Sequence, residues 1–372
     1  MSTGAQLPAA APVAPIAVGE ATAFSALPVA ARALLEANVT RNPFVCATWL
    51  QAFEAELLGP GETPLYLWAE AGGEVLAVLP LLASRRRPCG VLRLRAMGNF
   101  YTGLFDAAEQ PGLGASPARR AAVAAALAAH LATRHGRVPL LEMQPLRDDD
   151  ALPAWVAAAL AARGYATRRY PAHGNWYEDV AGIDFATYMQ RRPGQLRSTL
   201  ERKRRRLLRE HDVRLEVHDR ADTVAAAFSA YETVYVASWK SAERSPAFIR
   251  RVMSALAAHG IVNLGVLTVD GMPAAAQLWV RIGRTWAVFK LAYDPRFADY
   301  SVGTILTAHV IEGFFAAGAF DALDFLSGDD AYKRDWMAER RQHWGSEAIS
   351  PRSLIGQALR LKRRLGGTGD DA

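Results

Sequence analysis

Residues Gly265 to Asp294 read GVLTVDGMPAAAQLWVRIGRTWAVFKLAYD, and this stretch decides the fold. Its three apolar runs are separated by Asp270-Gly271 and by Gly283-Arg284. Pairs of this kind are typical of two-residue hairpin turns, because glycine adopts the positive φ that such turns need. The spacing therefore predicts an antiparallel meander of three strands joined by tight hairpins.

The segments on either side of the meander have the periodicity of helices. Pro246 to His259 precedes it as a helix with Gly260 just beyond its end, and Gly303 to Gly318 follows it as another. Farther out, Tyr231 to Lys240 is predicted to end a helix. Leu323 to Leu326 is predicted as a short strand, and Tyr332 to Arg340 as a last short helix.

The first half of the chain repeats this order of elements. LYLWAEAGGEVLAVLPLLASRR, which begins at Leu65, parallels LGVLTVDGMPAAAQLWVRIGRT in the second half, with a turn at Gly72-Gly73. Ser116 is a plausible N-cap, followed by proline at the first helical position. We predict helices at Phe44 to Leu58, Pro117 to Arg134 and Ala151 to Arg163, and strands at Leu65 to Arg87, Val91 to Met97 and Val138 to Met143.

This repetition predicts an internal duplication that gives two similar α+β domains, each a mostly antiparallel mixed sheet flanked by helices. We place a flexible Ala/Pro leader at 1–25, a degenerate first domain at 26–175 and a second domain at 176–350, which includes a basic linking helix. Residues 351–372 form a basic tail.

The composition is that of a globular protein. Of the 372 residues, 51% are hydrophobic and 22% are charged, which favours a packed core over disorder. No apolar run is long enough for a membrane span, and the first residues lack the positive start of a signal peptide. Cys46 and Cys89 are too few for a disulfide framework, and the eight histidines show no metal-ligand spacing. We therefore expect a cytoplasmic protein without a metal.

The charge is basic, with a net value of +6 and a pI of about 9.4. Arg191 to Arg209 holds nine Arg or Lys residues and a single acid, Glu201. A solvated helix face is the usual explanation of such a run, and no aromatic residues or known motif indicate nucleic-acid binding. The tail LIGQALRLKRRL is basic and amphipathic, which predicts at most a weak contact with an acidic membrane surface.

Three segments carry a resemblance to a known family: SWK at Ser238 to Lys240, KLAYDPRFADYSVG from Lys290, and DFLSGDDAYKRDW from Asp324. They resemble the GNAT acyltransferases of the CelD-like group, associated with cellulose and exopolysaccharide biosynthesis and related to the FemAB-type double-GNAT transferases. The family's Asp-x-x-x-Gly-x-x-x-Tyr-Lys run is matched by Asp324, Gly328, Tyr332 and Lys333. Val302 departs from the pattern, because the family usually has proline there.

The resemblance implies tandem GNAT-like domains that use acyl-CoA as co-substrate. GNAT enzymes direct the CoA pyrophosphate at a helix N-terminus that follows a strand, where free N–H groups and the helix dipole favour an anion. Here this cofactor-binding position corresponds to Ser301, Val302, Gly303 and Thr304. An amine or hydroxyl then attacks the thioester directly, so no serine or cysteine nucleophile is needed. The resemblance implies a small-molecule or saccharide-derived acceptor.

Three residues are candidates for catalysis. Lys290 is a lone cation in an apolar strand, where it faces a cleft or reaches solvent from an edge. Asp324 is a candidate general base or a partner for Lys290. Tyr332 is the family's candidate donor to the leaving thiolate. Asp324, Asp330 and Tyr332 all remain open as the general base.

The other candidates bind substrate or cofactor. Lys333 is expected to meet substrate or a CoA phosphate, and the resemblance places Trp239 and Lys240 near the acceptor. Tyr293, which ends the strand of Lys290, is a further substrate-binding candidate. Asp330 is a substrate-binding candidate, although capping of the helix that contains Tyr332 is the more usual explanation of such a residue.

Three other functions remain consistent with the sequence. An aminoacyl-tRNA donor, as in FemAB-type proteins, would give the basic helix a purpose, but no coiled-coil arm is visible. A non-catalytic scaffold of a polysaccharide-synthesis complex is the second. A nucleic-acid binder is the third, and it rests on charge alone.

Overall fold

The computed structural model describes residues 15–86, 90–147 and 151–366. Cys89 and the first 14 residues of the predicted leader lie outside these ranges. Within them, thirteen strands form one sheet. The strands are β1 Ala17–Ala21, β2 Thr63–Ala71, β3 Glu74–Arg86, β4 Val91–Ala96, β5 Ala108–Glu109, β6 Leu140–Leu146, β7 Ala166–Asp179, β8 Val213–His218, β9 Val262–Val269, β10 Met272–Ile282, β11 Thr285–Tyr293, β12 Ala322–Ser327 and β13 Glu339–Ile349.

Helices cover both faces of this sheet. They are α1 Val29–Ala37, α2 Ala47–Glu56, α3 Pro117–Arg134, α4 Leu152–Ala161, α5 Phe185–Gln190, α6 Gly194–Glu210, α7 Ala221–Ala237, α8 Pro246–Ala257, α9 Val302–Ala317, α10 Lys333–Trp336 and α11 Leu354–Gly366. No helix in the described ranges combines the length and the apolar character that crossing a membrane requires.

The predicted meander is confirmed. β9, β10 and β11 pair antiparallel in sequence order, and the first hairpin turns at Asp270 and Gly271, whose φ values are 49° and 78°. Alternate side chains of these strands enter two cores. Leu264, Val266, Leu278 and Val280 pack with α7 and α8, whereas Leu267, Val269, Ala275 and Trp279 pack with α9.

The sheet order confirms an α+β fold built from two similar halves. It runs β1-β2-β3-β4-β6-β13-β7-β12-β11-β10-β9-β8, with β5 beside β3. Each half contains antiparallel strands followed by one parallel pair, β4 with β6 and β11 with β12. In each half a long helix connects the two parallel strands, α3 in the first and α9 in the second.

The two halves exchange strands at the centre of the sheet. β13, near the end of the chain, pairs with β6 of the first half and with β7. β7 in turn pairs with β12 of the second half. The predicted boundary between residues 175 and 176 therefore falls inside a strand, and it is corrected.

Two local predictions also need correction. Residues 17–21, which we placed in the leader, form β1 and pair with β2. The helix predicted over Tyr332 to Arg340 is limited to α10, because the chain from Glu339 onward satisfies its backbone groups by pairing with β7. Pairing with a distant strand outweighs local helix propensity at this point.

Candidate active site

A gap opens in the sheet where β11 and β12 part. The two strands are paired only from Thr285 to Ala287 and from Ala322 to Asp324, and they diverge beyond that point. A cavity of about 160 Å³ occupies the gap. It is lined by Phe100, Tyr101, Gly103, Lys240, Val288, Phe289, Lys290, Leu291, Phe325, Leu326, Ser327, Asp330, Tyr332 and Lys333. Five predicted site residues, Lys240, Lys290, Asp330, Tyr332 and Lys333, therefore meet at one cavity.

Asp324 holds the gap open from outside the cavity. Its carboxylate accepts hydrogen bonds from Asn175 Nδ2 and from the backbone N–H of Leu326, each at 2.6 Å, and pairs with Arg341 at 2.6 Å. Leu326 has a φ of 45°, which is strained for a branched side chain, and the register of β12 against β7 shifts here. Asp324 is 2% exposed and does not line the cavity. Its geometry is that of an anchor for the bend rather than that of a base.

Lys333 clamps the loop that follows β12. Its ammonium donates to the carbonyls of Phe325, Ser327 and Gly328 at 3.2, 2.6 and 3.2 Å. Burial lowers the pKa of Lys333, against the effect of the Asp330 carboxylate. An ammonium group has three donor hydrogens, and three carbonyls use them. The predicted contact with a CoA phosphate is therefore corrected, since no donor is left for it in this arrangement.

Lys290 is held by residues from both halves of the chain. Its Nζ atom lies 3.0 Å from Glu243 Oε2, and the Tyr101 hydroxyl donates a hydrogen bond to the other oxygen of the same carboxylate. The Nζ atom also lies 4.9 Å from the ring centroid of Tyr101 and 5.4 Å from that of Tyr235. Lys290 therefore faces a cleft, and it is partnered there.

Tyr101 and Glu243 were missed by the sequence analysis. Tyr101 lies in a loop of the first half, and nothing in the sequence indicates that this loop reaches β11. Glu243 could have been noticed as an acid five residues after the SWK segment begins at Ser238. Its partner Lys290 lies 47 residues farther on, beyond any spacing rule, so that only the fold joins them.

Three lysines line the cavity, and Lys240 is the one that forms no ion pair with a described residue. Its Nζ atom lies 6.0 Å from the ring centroid of Tyr235 and 5.7 Å from that of Trp239. Burial and the charge of Lys290 lower the pKa of Lys240 to about 8. A substantial fraction of this amine is therefore neutral near physiological pH.

Tyr332 and Asp330 lie at the mouth of the cavity. Tyr332 is 40% exposed, and its ring packs edge-on against Phe325 with a centroid distance of 5.9 Å. Partial burial of the phenol and the nearby carboxylate of Asp330 raise the pKa of Tyr332, so that the phenol remains a donor at neutral pH. Asp330 pairs with Lys333 at 3.3 Å and is largely exposed.

The start of α9 has the features of an anion site. Ser301, at the N-cap, has a φ of 55°, and its side chain makes no capping hydrogen bond. The first backbone hydrogen bond of the helix runs from the N–H of Ile305 to the carbonyl of Ser301, at 3.1 Å. The N–H groups of Val302, Gly303 and Thr304 precede it and have no acceptor within the helix. A Cβ atom on Gly303 would lie 3.3 Å from the ring of Tyr293. Tyr293 in turn packs on Trp239 at 4.6 Å between centroids.

The equivalent helix of the first half lacks these features. α3 begins with Pro117, which has no N–H, and the Ser116 side chain accepts a hydrogen bond from the N–H of Arg119. Two of the donors that an anion would need at this helix start are therefore absent or used. The N-terminal ends of α3 and α9 therefore differ in the number of N–H groups that they offer to an anion.

A second cavity, of about 540 Å³, adjoins the first. Its walls come from β4, β6 and β7 and include two ion pairs, Arg93 with Glu142 and Arg95 with Glu62. The remaining polar lining comprises Asn99, Thr102, Gln144, His173 and Ser327. Phe100 and Ser327 line both cavities, so the polar cavity leads to the gap between β11 and β12.

Replacing Tyr101 with Phe should destabilise the protein by about 1–2 kcal/mol. The hydroxyl donates to Glu243 and accepts from the N–H of Ser245 at 3.0 Å, and both partners would lose a hydrogen bond in a partly buried setting. Urea unfolding measures the loss. Tyr177→Phe is the control, because its hydroxyl bonds Glu339 at the surface. Equal losses in the two variants would contradict the interpretation.

The second half of the chain matches a known domain family. Residues 194–334 match the family described as an acetyltransferase (GNAT) domain. This range contains the meander, α9, both strands that bound the gap and every cavity residue that comes from the second half. No curated protein sequence matches the chain.

Several solved structures are similar to the chain over both of its halves. FemX is similar with a TM-score of 0.57 at 10% identity, over 89% of this chain and 97% of that chain. A conserved protein of unknown function from Bacteroides thetaiotaomicron VPI-5482 has a TM-score of 0.52 at 12% identity, over 87% and 98%. A tandem GNAT protein from the clavulanic acid biosynthesis pathway covers 90% and 99% at 13% identity, with a TM-score of 0.47. Residues 194–334 thus match a GNAT acetyltransferase domain, and the mixed α/β fold of the chain is similar to the folds of FemX and the Bacteroides protein.

Proposed function

We propose that this protein is an acyltransferase that moves an acyl group from acyl-CoA to an amine or hydroxyl of a sugar-derived or envelope precursor. The observation that carries the proposal is the gap between β11 and β12 beside the uncapped start of α9. Free N–H groups and the dipole of a 16-residue helix attract the pyrophosphate there. The pantetheine arm then extends along the gap and delivers the thioester to the cavity.

Lys240 is our candidate for the group that accepts the acceptor's proton. A general base works best when its pKa is near the working pH, and Lys240 has a pKa of about 8. Lys290 is neutralised by Glu243, and Asp324 is engaged outside the cavity. Lys240 therefore replaces Asp324, Asp330 and Tyr332 as the preferred base.

The reaction is a direct displacement. The nitrogen or oxygen of the acceptor forms a bond to the thioester carbon, its proton passes to neutral Lys240, and the carbon–sulfur bond breaks to release CoA thiolate. Tyr332 donates a hydrogen bond to that thiolate, a role consistent with its protonated phenol. Lys290, held at the cavity by Glu243, would donate a hydrogen bond to the developing oxyanion.

The polar cavity between the halves supports a hydroxyl-rich acceptor. Its two arginines are each paired with a glutamate, so the wall offers many donors and acceptors with little net charge. Such a surface suits a sugar-derived molecule better than a polyanion. Phe100 and Ser327, which line both cavities, would let the acceptor's nucleophile reach the thioester.

An aminoacyl-tRNA donor is the second candidate, implied by the FemAB-type resemblance. One observation favours it, because α6 presents Arg197, Arg202 and Arg204 to solvent. An exposed basic helix of this kind would contact a phosphate backbone.

A non-catalytic scaffold is the third candidate, and it predicts binding without turnover. We propose cytoplasmic localisation for all three, and weak contact of α11 with acidic lipid.

Thermal unfolding with acetyl-CoA, longer acyl-CoAs and free CoA tests the donor. At about a hundred times the dissociation constant, binding to the folded state alone should add ~2.7 kcal/mol to the free energy of unfolding. An unchanged melting temperature with every CoA compound would exclude the acyl-CoA donor and favour the tRNA candidate. A shift without acyl transfer to any amino sugar or sugar would favour the scaffold.

A further inference from the structure

Three metal-ligating side chains meet far from the gap between β11 and β12. Glu20 lies in β1, His130 lies in α3, and His135 is the C-cap of the same helix. The Nε2 atoms of the two histidines lie 2.9 and 2.8 Å from one oxygen, Oε2 of Glu20. All three ligand atoms lie within 4.8 Å of one another, and all three residues are half-buried.

We propose that Glu20, His130 and His135 form a binding site for a divalent transition-metal ion of the zinc class. Two imidazole nitrogens and one carboxylate oxygen are a ligand set that Zn²⁺ takes in proteins, and Co²⁺ and Ni²⁺ accept it as well. The fourth position would be left to water. Nothing in the acyl-transfer proposal depends on this site.

The two nitrogen–oxygen distances need only a small adjustment to hold an ion. Tetrahedral bonds of about 2.0–2.1 Å keep ligand atoms about 3.3 Å apart. The nitrogen–oxygen distances of 2.9 and 2.8 Å would therefore lengthen by about 0.4–0.5 Å. The side chains are 16–26% exposed, so rotation about their own bonds can provide this movement without a shift of the core.

The surroundings of Glu20, His130 and His135 orient the carboxylate and favour a cation. The two oxygens of the Glu20 carboxylate have different partners, and Oε2 is the one that faces both histidines. Arg134 lies 3.3 Å from the other oxygen, Oε1, which leaves Oε2 to the ion and orients the group. The site also lies at the C-terminal end of an 18-residue helix, where the dipole favours a cation.

A bound ion would fasten the edge of the sheet. β1 is the strand at one end of the sheet order, and it pairs with β2 alone. Coordination would join it to α3 across 110 residues of sequence. An ion that binds only the folded arrangement stabilises it, so the proposed role is structural.

Calorimetric titration of untagged, chelator-stripped protein with Zn²⁺ tests the proposal, followed by the visible absorption of bound Co²⁺. We expect one ion per chain and a higher melting temperature. Glu20→Gln keeps a hydrogen-bond acceptor but removes the charged ligand, so the variant should fold. Its affinity for Zn²⁺ should fall by more than the ~10–100-fold that is lost when a residue that only orients a metal ligand is changed. The double variant His130→Gln/His135→Gln should lose both the binding and the melting shift.

His259→Gln is the matched control, because His259 is exposed and lies outside the cluster. It should bind Zn²⁺ as the unaltered protein does. Absence of stoichiometric binding to the unaltered chain would overturn the proposal and leave a hydrogen-bonded Glu–His cluster. Equal affinity in the double variant would also overturn it, because the ion would then bind elsewhere.

Discussion

Replacing Lys240 with Met should lower the rate of acyl transfer by roughly 10²–10⁴-fold, the range that a general base contributes. Met fills a similar volume but accepts no proton. Because Lys240 lies in the cavity rather than at α9, acyl-CoA should still raise the melting temperature of this variant. Steady-state rates and thermal unfolding, measured on the same preparation, separate the loss of chemistry from the loss of binding.

The dependence of this rate on pH gives an independent check. Lys240 must be neutral to accept a proton, so kcat/KM should rise about tenfold per pH unit below its pKa of about 8 and level off above it. Lys240→Arg keeps the positive charge but cannot lose a proton at neutral pH. The arginine variant should therefore be as inactive as the methionine variant, and full activity in it would reduce Lys240 to an electrostatic role.

Gly303→Glu should weaken acyl-CoA binding by about 100-fold. The new carboxylate would stand in the first turn of α9, where it would repel the pyrophosphate and interact with the dipole that should attract it. Its Cβ atom would also press on the ring of Tyr293 from 3.3 Å. A hundredfold loss corresponds to ~2.7 kcal/mol of binding free energy, which titration with acyl-CoA measures directly.

The duplication supplies a matched control for this variant. Ala118 occupies the same second helical position of α3 that Gly303 occupies in α9, and it is exposed. Ala118→Glu should leave acyl-CoA affinity unchanged, because that helix start is already capped by Ser116. If both variants lost affinity equally, the donor would not be bound at α9 alone.

Much of the fold could be predicted because its signals are local. The Asp270-Gly271 turn fixes the first hairpin of the meander, and Ser116 with Pro117 fixes the start of α3. Glycines with positive φ close the hairpin at Gly72-Gly73 and end the helix before Gly164. In each case a few neighbouring residues determine the backbone, and a single sequence contains them.

The exchange of β7 and β13 could not be predicted in this way. His173 and His343 are neighbours in the sheet although 170 residues separate them, and no spacing rule connects them. The cluster of Glu20, His130 and His135 was missed for the same reason. Histidines spaced for a metal within one short segment are visible in sequence, but a third ligand from a distant strand is not.

The sequence prediction grouped the candidate residues without separating their roles. The family pattern brought Lys240, Lys290, Asp330, Tyr332 and Lys333 together, and they line one cavity. It could not separate residues that shape the loop after β12 from residues that face the substrate. Burial and hydrogen bonds make that distinction, since the carboxylate of Asp324 and the ammonium of Lys333 are occupied by the protein itself.

The exchanged strands also determine when this protein can become active during its synthesis. β13 leaves the ribosome after the other twelve strands, and until it arrives β6 and β7 each lack a neighbour. The sheet of the first half therefore stays incomplete until residues 339–349 have been synthesised. Arg341, which pairs with Asp324 and so steadies the bend beside the cavity, lies in this late strand. Such long-range pairing makes folding slow and leaves exposed edges in the meantime. A nascent chain cannot assemble the complete site before its last strand is in place.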